Sequence, residues 1–98
     1  MDRIDHIAVQ TESITDSVKW YKKMFSCEVE YEDASWALLK FENTKLALVV
    51  PNQHPPHIAI KRDNLESFGS PVKHRDGSES VYVKSPDNNT FELIRYPK

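Results

Sequence analysis

The 98 residues make one domain, a size that buries roughly 65% of the surface its unfolded chain would expose. With 39% hydrophobic and 29% charged residues, two glycines and a formal net charge of -2, the composition is that of an ordinary globular protein. It argues against a disordered or membrane-spanning chain and against nucleic acid or an anionic membrane as partner. Cys27 is the sole cysteine, so an intrachain disulfide is excluded and any metal must be held by imidazole and carboxylate rather than by thiolates.

The opening Met1-Asp2-Arg3-Ile4-Asp5 lacks the basic and then long apolar stretch of a signal peptide, and a cytoplasmic address is expected. Alternation predicts a first strand over Ile4–Gln10, with Ile4, His6 and Ala8 on one face and Asp5, Ile7 and Val9 on the other. Ser13 then offers an N-cap with Asp16 in a capping-box position. Ile14, Val18, Tyr21 and Phe25 share one helical face, which predicts a helix over Ile14–Phe25. Strands follow at Cys27–Glu32, Trp36–Phe41 and Lys45–Val50, the last two joined by the Glu42-Asn43-Thr44 turn.

The proline-rich stretch 51–56 cannot continue a sheet and reads as a linker. After it the pattern restarts: His57-Ile58-Ala59-Ile60 repeats His6-Ile7-Ala8-Val9. A short helix is predicted over Asn64–Phe68, then strands over Val72–Arg75, Ser80–Lys84 and Thr90–Tyr96. The expectation is one α+β domain over residues 1–98, made of a duplicated βαβββ unit, the first copy at about 1–51 and the second at about 57–98.

The repeat singles out His6 and His57, and Glu92 is a carboxylate in the last strand of the second copy. Ile7 and Val9 oppose His6, Ile58 and Ile60 oppose His57, and Phe91 and Leu93 oppose Glu92, so all three can point away from the apolar faces. A lone histidine beside apolar residues is more often packed than ligating; the repetition of its context is what raises this pair. Glu92 in an apolar strand either faces solvent or, if buried, needs a cation or a hydrogen-bonding network. His74 beside Arg75, Asp76 and Gly77 reads equally as a solvated turn residue, and Tyr82 as a strand aromatic. Trp20 and Trp36 are open between core and cavity, and Lys61 and Arg95 between solvated strand ends and contacts to an anionic substrate.

Asp5-His6-Ile7-Ala8-Val9, His57-Ile58-Ala59-Ile60 and Ser85-Pro86-Asp87-Asn88-Asn89-Thr90-Phe91-Glu92-Leu93 together resemble the vicinal oxygen chelate superfamily, which includes glyoxalase I, extradiol dioxygenases, fosfomycin-resistance transferases and bleomycin-binding proteins. The resemblance implies two βαβββ units whose curved mixed sheets enclose a cleft, with His6, His57 and Glu92 holding one divalent metal. That trio suits Fe(II) best, with Mn(II), Ni(II) or Zn(II) compatible with the donors. The fourth carboxylate ligand of glyoxalase I falls here on Ala47, or on Leu46 one residue earlier, and neither can bind a metal.

His74, Tyr82, Pro86 and Glu92 also resemble the extradiol ring-cleavage signature, with Ser85 where an acidic or amide residue is commoner and Asn88 where Gly or Pro is usual. By that resemblance His74 would orient substrate or oxygen and Tyr82 would hydrogen-bond the substrate oxygen. The implied function is a small metal-dependent, dioxygenase-like enzyme acting on a small molecule. A glyoxalase-like lyase or isomerase and a non-catalytic, bleomycin-resistance-like binding protein are the alternatives. A homodimer is expected, since so small a domain gains stability by covering a sheet edge.

Overall fold

A computed structural model describes residues 1–98. The chain forms two compact units, one of residues 6–56 and one of residues 1–5 with 57–98. The elements in order are β1 (Arg3–Gln10), α1 (Ile14–Met24), β2 (Glu28–Glu32), β3 (Trp36–Lys40), β4 (Lys45–Val49), β5 (His57–Lys61), β6 (Val72–Lys73), β7 (Glu79–Lys84) and β8 (Thr90–Arg95). No helix is long and apolar enough to cross a membrane.

In the unit of residues 6–56 the strand order is β2-β3-β4-β1. β1 runs parallel to β4, while β3 is antiparallel to both β4 and β2. The crossover from β1 is α1, which forms where expected. The Ser13 hydroxyl accepts from the Asp16 amide at 3.3 Å, and Asp16 and Lys22–Lys23 complement the helix dipole at its two ends. Ile14 and Val18 press its apolar face onto Ala37, Leu39 and Leu48. Leu39 and Leu48 are fully buried, and a leucine buried in this way contributes about 1.5–3 kcal/mol.

In the other unit the order β5-β8-β7-β6 repeats the same plan, with β5 parallel to β8 and the remaining pairs antiparallel. The helix expected at Asn64–Phe68 is absent; the segment is a turn in which the Phe68 amide donates to the Leu65 carbonyl. Gly69 and Pro71 leave too few residues to repay helix nucleation. Asn64 instead ties the turn locally, bonding the Ser67 amide and hydroxyl. The segment still does the helix's packing: Leu65, fully buried, seals Val81 and Leu93, with Ile60 and Val83 against them. Arg95 straps it down through the Asp63 carbonyl and the Glu66 carboxylate.

Met1–Asp5 join this second unit through an Arg62–Asp2 ion pair at 3.4 Å and a Tyr96 hydroxyl bond to Asp5 at 2.6 Å. β6 is shorter than expected because Arg75, Asp76 and Gly77 turn the chain, Gly77 at φ +88°. Asn88, which stands where Gly or Pro is usual in the signature, sits at φ +66°. Asparagine tolerates this left-handed conformation better than most side chains.

Candidate metal centre

β5, β8 and β7 build most of the site by register alone. Ala59 pairs with Glu92 and Tyr82 pairs with Glu92, and paired residues share a face. Alternation then places His57, Glu92, Tyr82 and Ser80 on one side, while Ile60, Val81 and Leu93 pack on the other around Leu65.

Inside this unit His57 Nε2 lies 3.3 Å from Glu92 Oε1, with side chains 5% and 7% exposed. Tyr82 places its ring edge-on to the His57 imidazole, 5.5 Å between centroids. Burial, and then the charge of and hydrogen bond to Glu92, push the Tyr82 phenol above its ordinary range, so its hydroxyl stays a donor to that carboxylate.

His74 is delivered by the hairpin after β6. Its amide donates to the Ser78 carbonyl, and Asp76 ties the turn by accepting from the Ser78 amide and hydroxyl. His74 Nε2 meets Ser80 Oγ at 2.7 Å and stands 3.8 Å from Glu92 Oε2. His74 is therefore not simply a solvated turn residue, and Ser80 is a participant that the motif did not announce. The signal for Ser80 was its alternation with Tyr82 along β7.

His6 lies on β1 immediately after Asp5. Each of His6, His57 and Glu92 offers one ligand atom, and the three atoms lie within 4.8 Å of one another. Two imidazoles and one carboxylate are a donor set for a divalent first-row metal. The 3.3 Å between His57 and Glu92 is close to the ~3 Å edge that two donors about 2.1 Å from one cation would make. A buried carboxylate also calls for positive charge. The residues therefore fit a divalent metal.

Register also locates the missing fourth donor. Ala8 faces Ala47 across β1 and β4, as Ala59 faces Glu92 across β5 and β8. Ala47 is thus the counterpart of Glu92, and Leu46 is on the opposite face. Of the strand-end cations, Arg95 is committed to Glu66 at 2.6 Å and Glu79 at 3.1 Å, and Lys61 lies over the Tyr96 ring at 5.3 Å. Trp20 and Trp36 are both exposed, not core.

Solved structures supply the comparison. A hypothetical protein from Bacillus halodurans C-125 is similar over 99% of this chain and 96% of its own, at 17% identity and a TM-score of 0.79. A variant of Streptomyces coelicolor methylmalonyl-CoA epimerase, in complex with 2-nitronate-propionyl-CoA, is similar over 98% of each chain, at 18% identity and a TM-score of 0.75. A glyoxalase/bleomycin resistance protein/dioxygenase superfamily member from Vibrio splendidus 12B01 is similar over 96% of this chain and 98% of its own, at 13% identity and 0.74. The fold is that of the vicinal oxygen chelate superfamily. At these identities the likeness establishes the vicinal oxygen chelate fold and not the reaction. No family model matches the sequence, and no curated protein does.

Proposed function

We propose that the protein is a metal-dependent enzyme that takes a small substrate through two adjacent oxygen atoms, with His6, His57 and Glu92 as ligands and a dioxygenase-like reaction. The observation that supports it is the convergence of His57, Tyr82 and His74 on the single carboxylate of Glu92, beside the ligand atom of His6. A bound metal supplies a Lewis acid for the two substrate oxygens.

The chain's own groups do the rest. Glu92 and His57, both buried, keep bulk water from the donor side. Tyr82 can turn its hydroxyl hydrogen bond from Glu92 to a substrate oxygen, steadying negative charge there. His74 holds or moves a proton at Nε2, with Ser80 fixing the ring. Three ligands rather than four leave room for a substrate pair and one further small molecule such as oxygen.

An isomerase or lyase is the second reading, favoured by the epimerase among the similar structures and by His74 as a proton carrier beside a carboxylate. The two part on one experiment. Fe(II)-loaded protein is mixed with a panel of catechols in an oxygen electrode, and with methylmalonyl-CoA in D2O with exchange followed by mass spectrometry. Oxygen uptake lost in Glu92→Ala and reduced in Tyr82→Phe supports the dioxygenase. Deuterium incorporation without oxygen uptake supports the isomerase. Neither activity, with metal-independent ligand binding retained in His6→Ala, leaves a binding protein.

A further inference from the structure

The face that carries Glu92 also carries a lysine that the metal centre does not use. Lys84 alternates with Tyr82 and Ser80 along β7 and pairs with Thr90 on β8, and Thr90 alternates with Glu92. Its side chain therefore rises on the ligand side of the sheet, opposite Val81 and Leu93. It does not reach straight out to solvent. The ammonium folds back to donate to Thr90 Oγ1 at 2.7 Å, and Thr90 is buried.

Register sets where that ammonium stands. Ile58 pairs with Phe91, so His57, one residue earlier, lies abreast of Thr90 on the neighbouring strand, about 4.8 Å away between Cα atoms. Glu92 is two residues along β8 from Thr90, about 7 Å away. The positive charge is thus parked beside the strand neighbours of two proposed ligands, within the span of a small molecule bound there.

The cations of β5 and β8 are matched differently. Arg95 is taken by Glu66 and Glu79. Lys61, on the His57 side of β5 by alternation, lies over the Tyr96 ring, whose hydroxyl is bonded to Asp5. Lys84 has a neutral hydroxyl as its partner, and of the three donors of an ammonium that bond uses one. A neutral anchor fixes the cation in place without cancelling its charge, and the remaining donors can meet an anion.

Charge complementarity selects the occupant. A divalent ion held by Glu92 and two neutral imidazoles, taken together with the Lys84 ammonium, leaves about two positive charges on this face. A substrate with one deprotonated chelating oxygen balances the first, and a carboxylate elsewhere on the substrate balances the second. With that carboxylate on Lys84, the metal positions stay open to the oxygen pair.

We propose that Lys84, held by Thr90, is a specificity-determining residue that selects a substrate bearing a carboxylate on the same small framework as its two adjacent oxygens. The inference rests on the chelating-substrate reading above, and it applies to a dioxygenase and to an isomerase alike.

The test is isothermal titration calorimetry of the full chain loaded with Zn(II), with metal content read on every sample. The ligands are 2,3- and 3,4-dihydroxybenzoate and their methyl esters, which share one oxygen pair and differ in charge. The quantity read is the ratio of acid to ester affinity. For at least one of the two acids that ratio is expected to be about tenfold higher in the wild-type protein than in Lys84→Gln, the low end for a hydrogen bond to a charged group. Lys84→Arg, which keeps the charge, retains most of the preference. A ratio that is the same in Lys84→Gln and the wild-type protein for both acids, or a loss as large in Lys84→Arg, overturns the assignment of Lys84 while binding of the esters leaves the chelating-substrate reading in place. Metal-loaded protein that binds neither acids nor esters overturns both.

Discussion

Metal should stabilise this protein strongly, through Glu92. With its side chain 7% exposed and His57 at 5%, the carboxylate has given up most of its hydration, and a cation at the site offsets that cost. At a free metal concentration a hundred times Kd, binding to the folded state alone adds about 2.7 kcal/mol. For a domain of this length 1 kcal/mol moves Tm by about 4–8 °C, so the shift is about 10–20 °C. Glu92→Gln keeps the size and a hydrogen-bond acceptor for Tyr82 but removes the anionic ligand. A hundredfold loss of affinity leaves metal at Kd, worth about 0.4 kcal/mol and about 2–3 °C. The assay is circular dichroism melting of chelator-stripped protein, with and without excess Mn(II), Ni(II), Zn(II) or, anaerobically, Fe(II). A shift below about 2 °C in the wild-type protein with all four metals, or the same shift in Glu92→Gln, would refute the reasoning.

Leu65→Ala should cost about 2–5 kcal/mol in urea unfolding, since Leu65 is fully buried and the turn that replaces a helix has little else to seal the core. Glu66 titrates at about 2, below its usual 4.5, chiefly through its hydrogen bond from Arg95. A lowered folded value stabilises fully above pH 4.5 and is lost as pH falls toward 2. Glu66→Gln should therefore flatten the acid limb of Tm against pH while leaving its slope at neutral pH unchanged; the Glu66 side chain is largely exposed, so the effect is small. At Asn88, φ +66° makes Asn88→Gly near-neutral and Asn88→Val destabilising by about 1–2 kcal/mol in the same unfolding assay.

The parts legible in the sequence were those written in period. Alternation across His6 and His57 located β1 and β5, and the capped apolar face of Ile14 and Val18 located α1, with ends shifted by a residue or so. What failed was local chemistry competing with pattern. Asn64 and Ser67 close a turn on each other, and a five-residue stretch cannot nucleate a helix against that. His6 and His57 were legible because a duplicated unit repeats their strand context, and Glu92 because the segment that carries it resembles the superfamily's last strand. Ser80 was legible only as a residue on the Tyr82 face of its strand, since a small polar side chain carries no sign of the histidine that folds back onto it. The stacking of Tyr31 on Trp36 was hidden, because it depends on the register between β2 and β3, where an irregularity falls between Val29 and Tyr31.

Register also bears on which chemistry the site can support. Two units with the same strand order would, if equivalent, each place a donor opposite the alanine that follows its histidine. One does, with Glu92 opposite Ala59; the other presents Ala47 opposite Ala8. Ala47 is 5% exposed and has no donor atom, so the position cannot take up a ligand by a change of rotamer. The donor set is thereby limited to one charge and two neutral imidazoles, which leaves more positive charge on a divalent metal than two carboxylates would. Tyr82 and His74 both stand at the single carboxylate that remains. Under the proposed reading, proton movement runs through Tyr82 and His74, which do not ligate, an arrangement suited to a substrate that arrives with an ionisable oxygen of its own.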